Sequence, residues 1–174
     1  MRKQTDPTTS QNAASRLFLR FFLCYLTALP VGLLSASRGR GISLDAVGGV
    51  QLLFLLLALL GALLTVTKPY LLLLTVCKSL YDATLLYHVV TLTRSGTIGI
   101  LPFNACFFLV AFAAVLFALA AAGAELFAFM QPARNFALVF SAAFGRYLIR
   151  ALLLATLALT LYFLWPQIHA TLGL

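Results

Sequence analysis

Residues 69–92 read PYLLLLTVCKSLYDATLLYHVVTL, a stretch long and apolar enough for a membrane-spanning helix that nevertheless carries Lys78, Asp82 and His88. A helical span needs roughly 20 predominantly apolar residues. Charge inside hydrocarbon is costly and rare. Where it occurs it usually faces the protein interior, a partner or a substrate path. This stretch therefore points to the fold class and to the first candidate site together.

The rest of the chain agrees with a membrane reading. Of its 174 residues, 63% are hydrophobic and 9% charged, whereas soluble domains carry about 25% charged residues. There is too little polar surface to solvate a globule, and the expected class is an all-α, polytopic membrane bundle in the cell membrane. Further apolar segments lie at about 17–36, 47–66, 100–124 and 147–165, so with the opening stretch (about 70–92) five spans are expected, forming a single domain over 17–174. The segments do not read as a transmembrane β-barrel, whose strands alternate apolar and polar over about ten residues.

Residues 1–16 are polar and read as a disordered cytoplasmic tail. Segment one carries Arg20 near its start, where it can snorkel, and Pro30 as a candidate kink. Its end, Leu34-Ser35-Ala36, has the small residues of a signal-peptidase site. The long leading region, Arg20 and the interior proline favour a retained signal-anchor over a cleaved peptide. Residues 126–144, with Pro132, Arg134 and the short apolar run from Phe136 to Phe144, read either as an interfacial or re-entrant piece or as the start of a long helix passing Gly145.

The net charge is +8. The cations sit mostly at segment ends, and no basic stripe with interleaved aromatics occurs, so lipid is the expected partner and nucleic acid is not. With the N-terminus inside, Arg2, Lys3, Arg16, Arg20, Lys68, Arg134, Arg146 and Arg150 fall on the inner side, and Arg38, Arg40 and Arg94 on the outer. That bias sets an N-terminus-inside topology.

On a helical wheel Lys78, Tyr81, Asp82 and His88 share about 120° of arc, and Lys78 and Asp82 stand at i and i+4, where they can pair. Two readings stay open. One is a polar stripe facing a bundle interior, a partner helix or a substrate. The other is a self-neutralising pair that fixes helix packing. His88 reads as an interfacial or satisfied histidine rather than a ligand. A second candidate cluster is Glu125 with Arg146 and Arg150, on the predicted inner face. Separate snorkelling charges are the preferred reading there, and an ion pair is the alternative.

Catalysis finds no support in the sequence. The carboxylates Asp6, Asp45, Asp82 and Glu125 lie on different segments or in loops, and no nucleophile elbow, metalloprotease motif or acid pair is present. No cofactor or metal is expected. Cys24, Cys77 and Cys106 fit no metal spacing and read as small buried apolar residues. The run ALAAAGA, 118–124, suggests close helix packing within the bundle or against another protein.

A span holding Lys78-Ser79-Leu80 is followed by a loop with Gly96 and Gly99, and that loop leads into a span opening with Pro102-Phe103-Asn104. In this order, over roughly residues 47–112, the chain resembles the stage II sporulation protein M family. Two features depart from that pattern. The lysine is not followed by glycine, and the loop from Ser37 to Asp45 is short. The resemblance implies a non-enzymatic scaffold that holds peptidoglycan hydrolases at the membrane during engulfment. It also implies that Lys78, Gly96, Gly99, Pro102 and Asn104 are motif positions.

Two functions are carried forward. The first is a non-catalytic scaffold or subunit of a membrane complex, with other membrane proteins as partners. The second is a small-molecule transporter, or its membrane subunit, with the Lys78/Asp82 stripe lining the path. A transporter should expose that pair to a hydrated cavity, and a scaffold should bury it against helices or leave it on an outer face awaiting a partner. The residues do not specify an oligomeric state.

Overall fold

In a computed structural model that describes residues 7–37, 47–63, 67–130 and 142–172, the chain forms five α-helices and, among the described residues, no strand. They are α1 (Pro7–Ala36), α2 (Val47–Leu60), α3 (Thr67–Arg94), α4 (Ile100–Met130) and α5 (Ala142–Leu172), with a 3-10 turn, Gly61–Leu63, closing α2. Asn12–Ala36, Thr67–Arg94 and Phe103–Ala128 are long and apolar enough to cross a membrane. At about 1.5 Å per residue each exceeds the roughly 30 Å of a bilayer's hydrocarbon. The helix of α2 has 14 residues and is shorter than the span expected there.

Several boundaries differ from those expected. Helix α1 starts at Pro7, inside the tail read as disordered. Proline suits a first helical turn. Extending an existing helix back through Ala13 and Ala14 also costs far less than nucleating one. Helix α4 runs on to Met130, past the expected end at residue 124. Of the ambiguous run 136–144, residues 142–144 are the first turn of α5, which continues through Gly145. Residues 136–141 lie outside the described residues.

The turn from α3 to α4 has a local cause. Thr97 N donates to Leu92 O at 3.0 Å and Gly96 N to Thr93 O at 3.1 Å, the paired bonds of a Schellman cap. That cap places Gly96 at φ +73°, a conformation glycine adopts without strain. Ile98 then tucks into an apolar cluster with Leu85, Val89, Cys106 and Val110. Gly99 O accepts from Phe103 N at 3.3 Å, which opens α4.

The larger core joins four helices around Phe21, Leu55, Ala58, Leu71 and the stretch Leu116–Ala124. The small-residue run of α4 is buried there at Ala118, Ala120, Ala121, Ala122 and Ala124. Two tyrosines lock the end of α2. Tyr70 donates to Leu57 O at 3.1 Å and Tyr147 to Leu59 O at 2.6 Å. Both satisfy carbonyls in the last turn of a helix, where intrahelical donors run out. Tyr147 also stacks on Phe127 at 4.6 Å, tying α5 to α4.

Candidate functional site

Asp82 is the polar centre of the molecule. It sits in the middle of α3 with no exposed surface, as does Lys78. Lys78 Nζ pairs with Asp82 Oδ2 along the helix face. The same oxygen accepts from Tyr25 Oη of α1 at 2.7 Å, and Oδ1 accepts from Gln51 Nε2 of α2 at 2.7 Å. Both carboxylate oxygens are thus occupied, by donors from three helices. A buried carboxylate held only by its lysine would have unsatisfied lone pairs at a cost of about 1–3 kcal/mol or more. The tyrosine and the glutamine remove that cost.

The lysine is enclosed as well. Its ammonium lies 5.7 Å from the centroid of the Tyr25 ring and 6.0 Å from that of Phe54. Aromatic faces within about 6 Å attract a cation, so the two rings partly replace the water the lysine has lost. Around the pair, Ser79 Oγ donates to the backbone O of Tyr25 at 2.7 Å, and Thr75 Oγ1 to Leu71 O at 2.6 Å.

The expected stripe is therefore realised only in part. Lys78 and Asp82 form its centre. Tyr81 is half-buried against Phe54, with ring centroids 5.9 Å apart, and its hydroxyl is buried without a partner. His88 is half-buried and makes no hydrogen bond or ion pair among the described residues. Tyr25, Gln51 and Ser79 complete the site without having been singled out from the sequence. A signal for them existed. Gln51 is the only amide in segment two, and a buried carboxylate requires donors from whatever polar residues neighbouring segments supply.

The cluster expected on the inner face forms with a different partner. Glu125 Oε1 meets Arg20 NH1 at 3.3 Å, joining α4 to α1, while Oε2 is buried without a partner. Arg146 and Arg150 are exposed on α5 and do not reach Glu125. Arg20 is near enough to take their expected place because α1 packs directly on α4. Arg20 thus reaches inward to a carboxylate instead of snorkelling outward.

The motif glycines shape the α3–α4 turn as described, and Asn104 is exposed. Pro102 takes the third position of α4, within the first turn, where helices tolerate proline. The cysteines correct the expectation made of them: all three are free, but only Cys106 is buried, Cys24 is half-buried and Cys77 is exposed. An apolar helix face turned outward accommodates cysteine as readily as a core does. Among the described residues no three of His, Cys, Asp and Glu come together as a metal site would require.

No protein-family model matches the chain, and neither does any curated protein or any solved structure.

Proposed function

We propose that the chain is a non-catalytic, multi-pass protein of the cell membrane that acts as a scaffold or subunit of a membrane complex. In this reading it spans the bilayer about five times with its N-terminus inside. The apolar outward faces support membrane residence: Leu34 is 76% exposed, Ile100 73% and Phe108 70%. Soluble monomers rarely expose large contiguous apolar patches.

One observation carries the scaffold reading. The intramembrane charges are fully buried, and Asp82 is saturated by Lys78, Tyr25 and Gln51. A substrate path needs polar groups with free valence facing a cavity. Here those groups are consumed in joining α1, α2 and α3. The exposed outer surface is then what a partner would bind. The resemblance to the stage II sporulation protein M family names peptidoglycan hydrolases as the partner class to look for first.

The test is affinity purification of the intact chain from its own membrane in mild detergent, after cross-linking in situ, with mass spectrometry. A partner recovered at fixed stoichiometry is the expected result. A chain recovered alone, which carries solute flux in vesicles, would replace this reading with transport.

A further inference from the structure

One end of the bundle is positive and lacks protein counter-charge. Arg20 meets Glu125 there, which brings the start of α1 beside the end of α4. Tyr70 and Tyr147 both bond the last turn of α2, and Tyr147 stacks on Phe127. The starts of α1, α3 and α5 and the ends of α2 and α4 therefore share that end, the one predicted to lie inside. Arg16, Lys68, Arg146 and Arg150 are exposed on it. Among the described residues the carboxylates are Asp82 and Glu125, and each already holds a cation, Lys78 and Arg20 respectively.

Arg146 and Arg150 concentrate that charge. They stand at i and i+4 on α5, about 6 Å apart at Cβ, and neither makes an ion pair or hydrogen bond among the described residues. On the helical wheel Arg146, Ile149, Arg150, Leu153 and Leu157 share about 100° of arc, and all of them are exposed. From Arg146 to Leu157 the helix rises about 16 Å, the depth of one leaflet of a bilayer's hydrocarbon. Side chains lean toward a helix's N-terminus, so Arg150 leans back toward Arg146 and away from the leucines. The stripe is cationic at its head and apolar below it. Arg20 shows the alternative for a cation at this end, since it turns inward to Glu125. Arg146 and Arg150 have no such carboxylate, and their charge is met from outside the chain.

We propose that Arg146 and Arg150 bind the headgroup of a phospholipid with two phosphates, of the cardiolipin class, whose acyl chains lie along Leu153 and Leu157. A guanidinium holds a phosphate through two parallel hydrogen bonds, and basic patches at the cytoplasmic ends of membrane helices suit anionic headgroups. Two adjacent guanidiniums match two phosphates. A phosphocholine head brings its own cation to the same place and matches less well. An acidic protein segment would match the arginines but not the leucines below them. The inference rests on the membrane residence proposed above and not on the scaffold role.

The test starts with the full chain reconstituted in phosphatidylcholine vesicles. A chain that alkali extracts from them would overturn the membrane reading and this site with it. A chain that resists extraction is purified in mild detergent and titrated with cardiolipin, phosphatidylglycerol or phosphatidylcholine, and native mass spectrometry counts the bound lipid. Cardiolipin should bind tightest. Each arginine near an anionic headgroup contributes about fivefold, so Arg146→Gln/Arg150→Gln should weaken cardiolipin about thirtyfold. Arg146→Lys/Arg150→Lys should recover most of the binding, which separates lost charge from lost structure. Arg94→Gln, at the opposite end of the bundle, should change nothing. Cardiolipin held no better than either other lipid, an unaltered affinity in the double glutamine variant, or an equal loss in Arg94→Gln would overturn the proposal. So would a chain that holds no cardiolipin but draws an acidic protein from its own membrane through the same arginines.

Discussion

If Asp82 is a saturated, desolvated carboxylate, neutralising one member of its ion pair should hurt more than neutralising both. Lys78→Met leaves the carboxylate buried with Tyr25 and Gln51 but no counter-charge. Asp82→Asn leaves the Lys78 ammonium buried between two aromatic rings with no anion. Breaking a buried ion pair from one side costs about 3–5 kcal/mol. Lys78→Met/Asp82→Asn removes both charges, and the introduced amide still offers one acceptor oxygen. The remaining penalty is an imperfect hydrogen bond or two, about 1–3 kcal/mol. The cycle should therefore close with a coupling of at least about 3 kcal/mol, far outside additivity. Ordinary hydrogen bonds between membrane helices reach only about 0.6 kcal/mol on average and about 1.7 at most, so the magnitude separates the two cases. Cys106 provides the assay. It is buried, and in a Cys24→Ala/Cys77→Ala background its alkylation against rising dodecyl sulfate reports opening of the fold. A coupling below about 1 kcal/mol would show the pair to be hydrated or loosely held, and the burial argument would fail.

The other predictions concern packing and topology. A methyl at Gly32 would stand 2.5 Å from Ala83 Cβ and 3.2 Å from Leu80 Cα, so Gly32→Ala should destabilise by about 1–3 kcal/mol, and adding Ala83→Gly should recover part of that in the same unfolding assay. Tyr147→Phe keeps the stack on Phe127 and loses the 2.6 Å bond to Leu59 O; the expected loss is about 0.5–1.5 kcal/mol, and a neutral result would mean that the carbonyl finds another donor. On the proposed topology, Ser95→Cys is labelled by an impermeant maleimide in intact cells, and labelling only after permeabilisation would invert the orientation.

The all-helical class was legible because long apolar segments fit helices of spanning length, and the Lys78–Asp82 contact because i,i+4 spacing on one helix fixes its geometry. The remaining contacts to Asp82 come from Tyr25, 57 residues away, and Gln51, 31 residues away. Spacing says nothing about them. A helix that is apolar all round has no stripe to say which neighbour it faces, so the order of helices in the bundle was not readable. The same gap explains Glu125: the predicted topology brings Arg146 and Arg150 near it, and Arg20, 105 residues away on α1, makes the contact. The start of α1 was missed because polarity was read as disorder, although residues next to an established helix extend it at little cost.

In a lipid solvent apolar surfaces give no preference between helix pairs, so small residues and polar contacts must choose them. Helices α1 and α3 show how both act on one seam. Phe21, Tyr25, Gly32 and Ala36 line the buried face of α1. Opposite them on α3, Ala83 lies against Gly32, Ser79 binds the backbone O of Tyr25, and Asp82 takes the Tyr25 hydroxyl. The glycine sets how close the axes come, and the two hydrogen bonds set the register. A one-residue slip of α1 would rotate Tyr25 by about 100°, leaving Asp82 Oδ2 with Lys78 alone and taking from Ser79 its acceptor, and would drive a side chain into Ala83. The Gln51 bond selects α2 as the third member by the same logic. The buried charge thus does what a soluble core leaves to shape: it distinguishes one arrangement of near-equivalent apolar helices from the others, a registry role attested for buried polar groups elsewhere. On the scaffold reading proposed above, an outer face that must present a fixed surface to a partner needs that uniqueness more than it needs added stability.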